Sequence, residues 1–379
     1  MRGLPGWRAL VLLAVVTSGC AARREQLAIA SLSDGEATAR VAAADLLDAA
    51  TVDADPSIRA VALAAYVASS DTAGCQRWLE QGLHDPEGTV QRAVVAAAGQ
   101  RREPELVGLL RDFLARRSAD AAARLRLARS RPELVGDALH GAWRDVSGWR
   151  RPPILALSAL AGDAEAKPMW LAAIREGEAG DDPAMLSAAL EVFGSAVFPA
   201  LSEAGARYDE ELGGAYALAR VLGGDASAKG AWRGVVRHAD DDVVLDGVDL
   251  LVGWPQARRE VALQTARPSG RTAARVADLL LDPPVGTWRA SLAADDLDVR
   301  ATAADRLAAG EGPADKLAAV LAERVLVEPV EAVRADLALA LARAPVTPAT
   351  DEALWTAMVD RYPSVRVAAA AAWRLRGGR

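Results

Sequence analysis

The stretch GDAEAKPMW at residues 162–170 recurs as GDASAKGAW at residues 224–232. Related tryptophan segments are spread along the chain at gaps of 65, 27, 62, 56 and 67 residues, which are one or two multiples of a period near 31. The six tryptophans at this position are Trp78, Trp143, Trp170, Trp232, Trp288 and Trp355. Periods of about 20 to 50 residues are typical of arrays in which each repeat is one supersecondary unit. The repeat therefore limits the fold more strongly than any single motif does.

The second copy also resembles part of a phosphate-binding loop, because it contains Gly224, Lys229 and Gly230. Such a loop requires G-x-x-x-x-G-K-[ST], in which glycines bring backbone N–H groups to the phosphates and the hydroxyl reaches magnesium. Here Ala228 precedes the lysine and Gly230 follows it, so neither requirement is met. Repetition at a fixed offset favours a structural element over a nucleotide site.

A second phrase recurs along the chain and joins an acidic residue, often followed by proline, to Val-Arg or a close variant. Its copies are 55–59, 85–92, 296–300, 328–334 and 362–366. Aspartate caps the free N–H groups of a helix start, and proline suits the first helical position. Val299, Ala303 and Leu307 then follow at the spacing of one buried helix face. Each repeat is predicted to be a helix pair, with the tryptophan on the first helix and Val-Arg on the second.

Composition favours the same fold class. About half of the residues are apolar, but only three are Phe and four are Tyr, whereas β-sandwiches are rich in aromatic and β-branched residues. The sequence predicts an all-α, right-handed superhelical solenoid of about ten to eleven helix-turn-helix repeats over residues 35–379. With neighbouring helices about 8–10 Å apart, ten stacked pairs would extend on the order of 100 Å.

The first 19 residues have the pattern of a signal peptide. Arg2 and Arg8 precede the apolar run 9–16, which is shorter than the roughly 20 residues of a membrane-spanning helix. The ending Thr-Ser-Gly-Cys resembles the bacterial lipoprotein signal. This resemblance implies lipid on Cys20, a tether over residues 20–34 and a place in the cell envelope. An ordinary signal peptide with an incidental cysteine is the alternative.

The residue after the cysteine, Ala21, implies the outer membrane facing the periplasm. Without residues 1–19, which contain two arginines, 42 basic residues remain against 51 acidic ones, so the net charge is −9. This balance argues against nucleic acid as a partner. If Cys20 carries lipid, Cys75 is the only remaining thiol and no intrachain disulfide can form.

The order Gly-Asp, first helix, Asp-Pro, Val-Arg and Ala/Leu-rich second helix resembles the HEAT-repeat family, especially the phycobilisome-lyase HEAT-like repeats. The resemblance covers about residues 35–377 and is strongest around 55–100 and 290–377. Between 118 and 285 the phrase is incomplete, so the central repeats could bend or pair differently. The resemblance also implies that acidic and basic side chains form a ladder between neighbouring repeats. It assigns this role to Asp55, Arg59, Asp296 and Arg300.

No catalytic or metal-binding pattern is found among the titratable residues. The histidines, His84, His140 and His238, have no second His or Cys at metal spacing. The run 240–242 lacks the spread of ligands in a calcium loop and coincides with a predicted helix cap. Cys75 has no activating base placed by the sequence. We therefore expect no catalytic residue, no metal and no cofactor.

The tryptophans are interpreted as packing residues. The six repeat tryptophans and Trp373 are predicted to lie in the core, whereas Trp149 and Trp254 lie off the repeat and are candidates for the surface.

The predicted function is a non-catalytic, membrane-tethered scaffold or protein-binding module of the bacterial cell envelope. Its unknown protein or peptide partner would lie on the concave face formed by the second helices. One alternative is a chromophore-lyase-like enzyme, because similar repeats occur in phycobilin lyases. Another is a purely structural spacer. A contiguous apolar patch on the concave face favours binding, and a uniformly acidic, featureless face favours the spacer.

Overall fold

The computed structural model describes residues 35–377, apart from 100, 117–118, 136–138, 140, 142, 145, 149–150, 181 and 208–209. The signal peptide, Cys20 and the tether over 20–34 lie outside the described residues, as do His140 and Trp149. The described residues are mostly helical and contain no β-strand, so the fold is all-α.

The first half of the helices run in chain order as α1 (Gly35–Ala50), α2 (Pro56–Ser69), α3 (Thr72–Leu83), α4 (Gly88–Ala98), α5 (Glu105–Ala115), α6 (Ala121–Ser130), α7 (Arg151–Leu160), α8 (Ala166–Arg175), α9 (Pro183–Phe193), α10 (Phe198–Gly205) and α11 (Glu210–Leu222). The remainder are α12 (Lys229–Val236), α13 (Asp241–Asp249), α14 (Gln256–Thr265), α15 (Arg271–Leu279), α16 (Val285–Leu292), α17 (Leu297–Ala309), α18 (Ala318–Val327), α19 (Glu331–Ala340), α20 (Pro348–Met358) and α21 (Pro363–Gly377).

Capping explains several of these helix starts. Asp55 accepts a hydrogen bond from the backbone N–H of Ser57 at the start of α2, and Pro56 occupies the first position. Asp182 does the same for Ala184 at the start of α9. Thr347 and Thr350 form a reciprocal capping box at the start of α20. Each cap satisfies N–H groups that have no partner within the helix.

The chain divides into two compact units where one repeat domain was expected over 35–379. Unit 1 comprises Met1–Trp78 and Ala303–Arg379, and unit 2 comprises Leu79–Thr302. In unit 2, helices pack on their neighbours in sequence and on the next helix but one, as α4 does on α6, α9 on α11 and α13 on α15. Each helix of unit 2 in these examples therefore contacts a helix two positions along the chain.

A buried arginine connects the turns of unit 2. Arg259 is 4 % exposed. Its guanidinium donates hydrogen bonds to the carbonyl oxygens of Trp254 at 2.6 Å, Val252 at 3.0 Å and Leu280 at 3.4 Å. A guanidinium group only donates hydrogen bonds. The three backbone carbonyls act as its acceptors here in place of the water that would solvate it at the surface. Trp254, expected at the surface, is buried beside this arginine at 2 % exposure.

In unit 1, the two ends of the described chain pack together. Helix α21 contacts α19, and it also contacts both α1 and α2. A linear stack would place the first and last pairs at opposite ends, so this packing differs from the expected extended array. The buried face of α21 contains the five consecutive alanines 368–372. Small side chains allow helices to approach closely, which is why α21 can pack on α1, α2, α19 and α20.

The central region departs from the simple pair pattern. No α-helix is described between Ser130 and Arg151, and Trp143 lies in a turn of this segment. The other five repeat tryptophans lie on α3, α8, α12, α16 and α20. The stretch Pro183–Gly205 is long and apolar enough to cross a membrane by length and composition alone, and 44 % of its most apolar window is buried inside the protein.

Candidate functional site

The repeat tryptophans fall into two groups. Trp170, Trp232 and Trp288 are fully buried, and Trp143 is nearly so. Trp78 and Trp355 are only partly buried. Trp78 stacks on Tyr66 with ring centroids 4.4 Å apart and planes 14° from parallel. Most of this set therefore fills space between helices.

The repeated Gly-Asp stretches serve as turns and caps. Gly162 and Gly224 have positive φ angles of 92° and 94°, which glycine adopts without strain. Asp225 accepts hydrogen bonds from the backbone N–H and the hydroxyl of Ser227 at 2.9 and 2.7 Å. Arg220 contacts the other oxygen of Asp225 at 2.7 Å. The site that resembled a phosphate loop is thus a helix cap with its own cation.

Asp163 has a more buried version of the same role. Its two oxygens accept hydrogen bonds from the backbone N–H groups of Gly141 (2.8 Å), Glu165 (2.9 Å) and Ala166 (3.2 Å), and from Nε1 of Trp143 (3.2 Å). Burial raises the pKa of this carboxyl, but the four hydrogen bonds outweigh burial and lower the pKa to about 2. Asp163 therefore joins the turn before α7 to the start of α8.

The arginine of the Val-Arg phrase binds the turn that precedes its own helix. Nη1 of Arg59 donates to the carbonyl oxygens of Asp53 at 2.8 Å and Ala54 at 3.1 Å. Arg300 donates in the same way to Ala294 and Asp295, at 2.8 and 2.9 Å. These carbonyl groups belong to turn residues, which form no regular backbone ladder, so each arginine fixes the turn to the first part of its own helix.

Contacts between repeats use a partly different set of residues from the predicted ladder. Arg92 pairs with Asp120 at 3.0 Å in unit 2, and Arg334 pairs with Asp360 at 2.9 Å in unit 1. Asp296 caps α17 and also accepts a hydrogen bond from the hydroxyl of Thr272 on α15. The ladder predicted for Asp55, Arg59, Asp296 and Arg300 stays a prediction, since their described bonds are caps and the Thr272 contact.

The other candidates for chemistry occupy structural positions. Asp240 caps α13 through the N–H of Asp242 at 3.0 Å. Cys75 is fully buried. Nδ1 of His84 lies 2.8 Å from the carbonyl oxygen of Glu80, and Nδ1 of His238 accepts a hydrogen bond from the N–H of Asp240. In the part of the chain that the structure describes, no group of three His, Cys, Asp or Glu side chains could hold a metal ion.

A cleft in unit 2 brings together acidic and apolar side chains. It has a volume of about 390 Å³ and lies between three helices, α13, α15 and α17. Its lining is Asp242, Leu245, Asp246, Asp249, Val276, Asp298, Ala301 and Thr302. We call this feature the acidic cleft.

The electrostatics of the acidic cleft differ from those of the caps. Burial, together with the nearby carboxylates of Asp246 and Asp298, raises the pKa of Asp249 above the usual aspartate range. The carboxylate lies at the C-terminal end of α13, where the helix dipole is also unfavourable to negative charge. A cation placed in the cleft would relieve this repulsion, so the site is chemically suited to Lys or Arg side chains.

The sequence contained a signal for the cleft that was missed. Asp242, Asp246 and Asp249 are spaced at i, i+4 and i+7, which places them on one face of a helix. The interpretation of 240–242 as a cap considered only the first residues of this stripe. Asp298 lies 49 positions after Asp249, so only packing of α17 near α13 brings it into the same cleft.

No protein-family model matches the chain, and no curated protein matches it. Among solved structures, the crystal structure of an engineered protein is similar to it at 15 % identity, covering 89 % of this chain and 99 % of that one with a TM-score of 0.29. A similarity this low supports no conclusion about fold or function. The resemblance to HEAT repeats therefore stays a prediction from the sequence.

Proposed function

We propose that this protein is a non-catalytic binding module whose acidic cleft holds a basic segment of a protein or peptide partner. The observation that carries this proposal is the composition of the cleft. Carboxylates of Asp246, Asp249 and Asp298 lie beside the apolar side chains of Leu245 and Val276. A lysine or arginine has an apolar stem and a charged end, so one such side chain can use both parts of the lining.

The size of the cleft fits this kind of partner. Binding cavities for small ligands commonly measure about 300–1,000 Å³, so about 390 Å³ accommodates a few side chains of an extended peptide. A purely structural spacer requires no such feature on its second helices. The combination of charge and apolar surface favours the binding module over the spacer.

The finer architecture belongs to the same proposal. We interpret the helices as a solenoid of about ten to eleven HEAT-like pairs. Support comes from the packing of each helix on the next but one and from capping at the repeated phrases, as at Asp55, Asp163, Asp225 and Asp296. In such arrays the second helices form the binding face, and the acidic cleft lies on second helices.

The place of action is proposed from the N-terminal sequence. Lipid on Cys20 would tether the module to a membrane of the bacterial envelope, with the outer membrane facing the periplasm as the expected location. A Cys20→Ala variant expressed in a bacterial host should leave the membrane fraction, whereas Cys75→Ala, which alters the only other thiol, should remain in it. Equal fractionation of the two variants would rule out this anchor.

A direct test of the cleft uses a labelled peptide that alternates Lys and Leu, with a Glu–Leu peptide of equal length as control. Fluorescence anisotropy should show binding of the basic peptide that weakens with salt, because exposed charges are screened. The Asp246→Asn/Asp249→Asn variant should bind about tenfold or more weakly, which corresponds to about 1.4 kcal/mol. Asp315→Asn/Glu323→Gln removes the same charge from exposed positions in unit 1 and should bind normally. Equal binding by both double variants, or of both peptides, would overturn the proposal.

A further inference from the structure

The contact between the two ends of the chain in unit 1 is centred on Arg374. This arginine lies near the end of α21 and donates hydrogen bonds to the hydroxyls of Ser69 at 2.8 Å and Ser70 at 3.2 Å. Its guanidinium also lies 4.2 Å from the centroid of the Tyr66 ring. Residues separated by more than 300 positions are thereby joined through one side chain.

The contacts continue from Tyr66 into the neighbouring helices. Its hydroxyl hydrogen-bonds with the carboxylate of Asp48 on α1, and its ring stacks on Trp78 of α3. Arg77 covers Trp78 at 4.6 Å from the ring centroid. A single series of contacts therefore runs from α21 through α2 to α1 and α3.

Helices α1 and α2 depend on neighbours for their burial. The buried residues of α2 are Ile58, Ala60, Ala62, Leu63, Ala65, Tyr66 and Val67. These positions extend around more than one face of the helix, so α1 alone cannot cover them. One helix pair in a repeat array does not bury its faces without adjacent pairs. Since α21 packs on both α1 and α2, removal of α21 would expose part of this surface.

The contact surface of α21 makes this junction dependent on polar contacts. Its buried residues are two valines and the alanines 368–372, which supply little apolar area for each residue buried. Ser69, Ser70 and Arg374 are partly exposed, so water can replace their hydrogen bonds without opening a large core.

From these observations we propose that α21 is a clasp for α1 and α2, and that Arg374 controls its opening. The clasped and released states exchange as a local equilibrium within unit 1, separately from unit 2. Local opening of this kind occurs where accessible polar contacts hold an element, as the contacts of Arg374 hold the last turn of α21. Through this clasp, α21 would determine whether α1 and α2 are held in their packed arrangement.

Amide hydrogen exchange of the full chain, read peptide by peptide, tests the clasp. Arg374→Ala should raise the exchange rates of residues 35–69 and 363–377 about tenfold, as expected for loss of two hydrogen bonds and a cation–π contact. Exchange in α9 to α13 of unit 2 should stay unchanged. The matched control is Arg361→Ala, because Arg361 also covers a tyrosine, Tyr362, at 4.5 Å, but only its sequence neighbour.

Two outcomes would overturn the clasp: unchanged exchange in residues 35–69, or an equal rise throughout both units. If Arg374→Ala does not fold, as judged by far-ultraviolet circular dichroism, Ser69→Ala/Ser70→Ala replaces it. That variant removes the two acceptors, together with the hydrogen bond that the hydroxyl of Ser69 donates to the carbonyl oxygen of Ala65 at 2.7 Å, and it should raise the same rates by a smaller factor. Wild-type exchange in residues 35–69 for the serine variant would also refute the proposal. None of these results depends on binding at the acidic cleft.

Discussion

Replacement of Asp163 by asparagine should destabilise unit 2 in a way that depends on pH. The carboxylate accepts four hydrogen bonds, three from backbone N–H groups and one from the indole of Trp143. In asparagine an NH₂ group replaces one of the two carboxylate oxygens. This NH₂ donor would then face the N–H donors that the replaced oxygen had accepted from. The side chain is 7 % exposed, and water cannot readily compensate for the loss.

The pKa gives the magnitude. A folded-state pKa of about 2 against the ordinary 3.8 corresponds to about 2.5 kcal/mol of stability at neutral pH. Because the folded pKa is lowered, this contribution is fully present above pH 3.8 and is lost as pH falls through 2. About half of it should be gone at pH 3. Asp163→Asn should therefore cost about 2.5 kcal/mol at pH 7 and about half as much at pH 3.

The assay is urea denaturation of the full chain at pH 7 and at pH 3, in which tryptophan fluorescence monitors the unfolding of unit 2. Asp225→Asn is the matched control, since it changes the same residue of the second Gly-Asp stretch. Asp225 accepts its hydrogen bonds from the exposed Ser227 and from Arg220. The control substitution should therefore cost about 1 kcal/mol of stability or less. Equal losses for the two variants, or an Asp163→Asn loss that is the same at both pH values, would refute the reasoning.

Three further predictions follow from the packing. Burial and the neighbouring carboxylate of Asp305 raise the pKa of Asp336 to about 7. The fold tolerates the protonated carboxyl but not the buried charge, so the contribution of Asp336 to stability is fully present below pH 3.8 and is lost as pH rises through 7. In thermal denaturation, Asp336→Asn should therefore stabilise unit 1 at pH 8 and should leave its stability unchanged at pH 3. A Cβ on Gly88 would lie 2.3 Å from Oδ2 of Asp120, so Gly88→Ala should cost about 1 kcal/mol of stability by disturbing the Arg92–Asp120 pair. A Cβ on Gly108 would meet nothing within 4 Å, so Gly108→Ala should stabilise α5 by about 0.5–1 kcal/mol. Nε1 of Trp232 donates to the carbonyl of Ala262 at 3.1 Å, but the buried Nε1 of Trp170 finds no acceptor, so in urea denaturation Trp232→Phe should cost about 1 kcal/mol more than Trp170→Phe.

Local sequence information was sufficient for the helices and many of their ends. Asp55 with Pro56, and Asp225 after Gly224, are capping signals that act within a few residues, so they could be recognised without tertiary structure. The burial of Trp170 and Trp232 likewise follows from their position on a repeated helix. These features depend on the period of the chain, which is visible in the sequence.

Features that depend on distant residues could not be predicted in the same way. The meeting of Tyr66 and Arg374 joins the two ends of the chain, and no repeat pattern indicates it. The acidic cleft lies between these cases, since its stripe on α13 was visible but its fourth carboxylate, Asp298, was not.

The aspartates separate into two classes according to their place in the helix. Those at helix starts, Asp55, Asp163, Asp225 and Asp296, have lowered pKa values, because their hydrogen bonds stabilise the charged form. Asp249, Asp305 and Asp336 lie within helices or at a helix end, where no free N–H groups are available, and burial raises their pKa values. At neutral pH the aspartates of this second class reduce the stability of the fold, and they do not act as helix caps. Carboxylates that are unfavourable to the fold and line a cleft are typical of residues retained for binding. Under the proposed function Asp249 would hold the cationic partner, whereas the hydrogen bonds of Asp163 stabilise the fold.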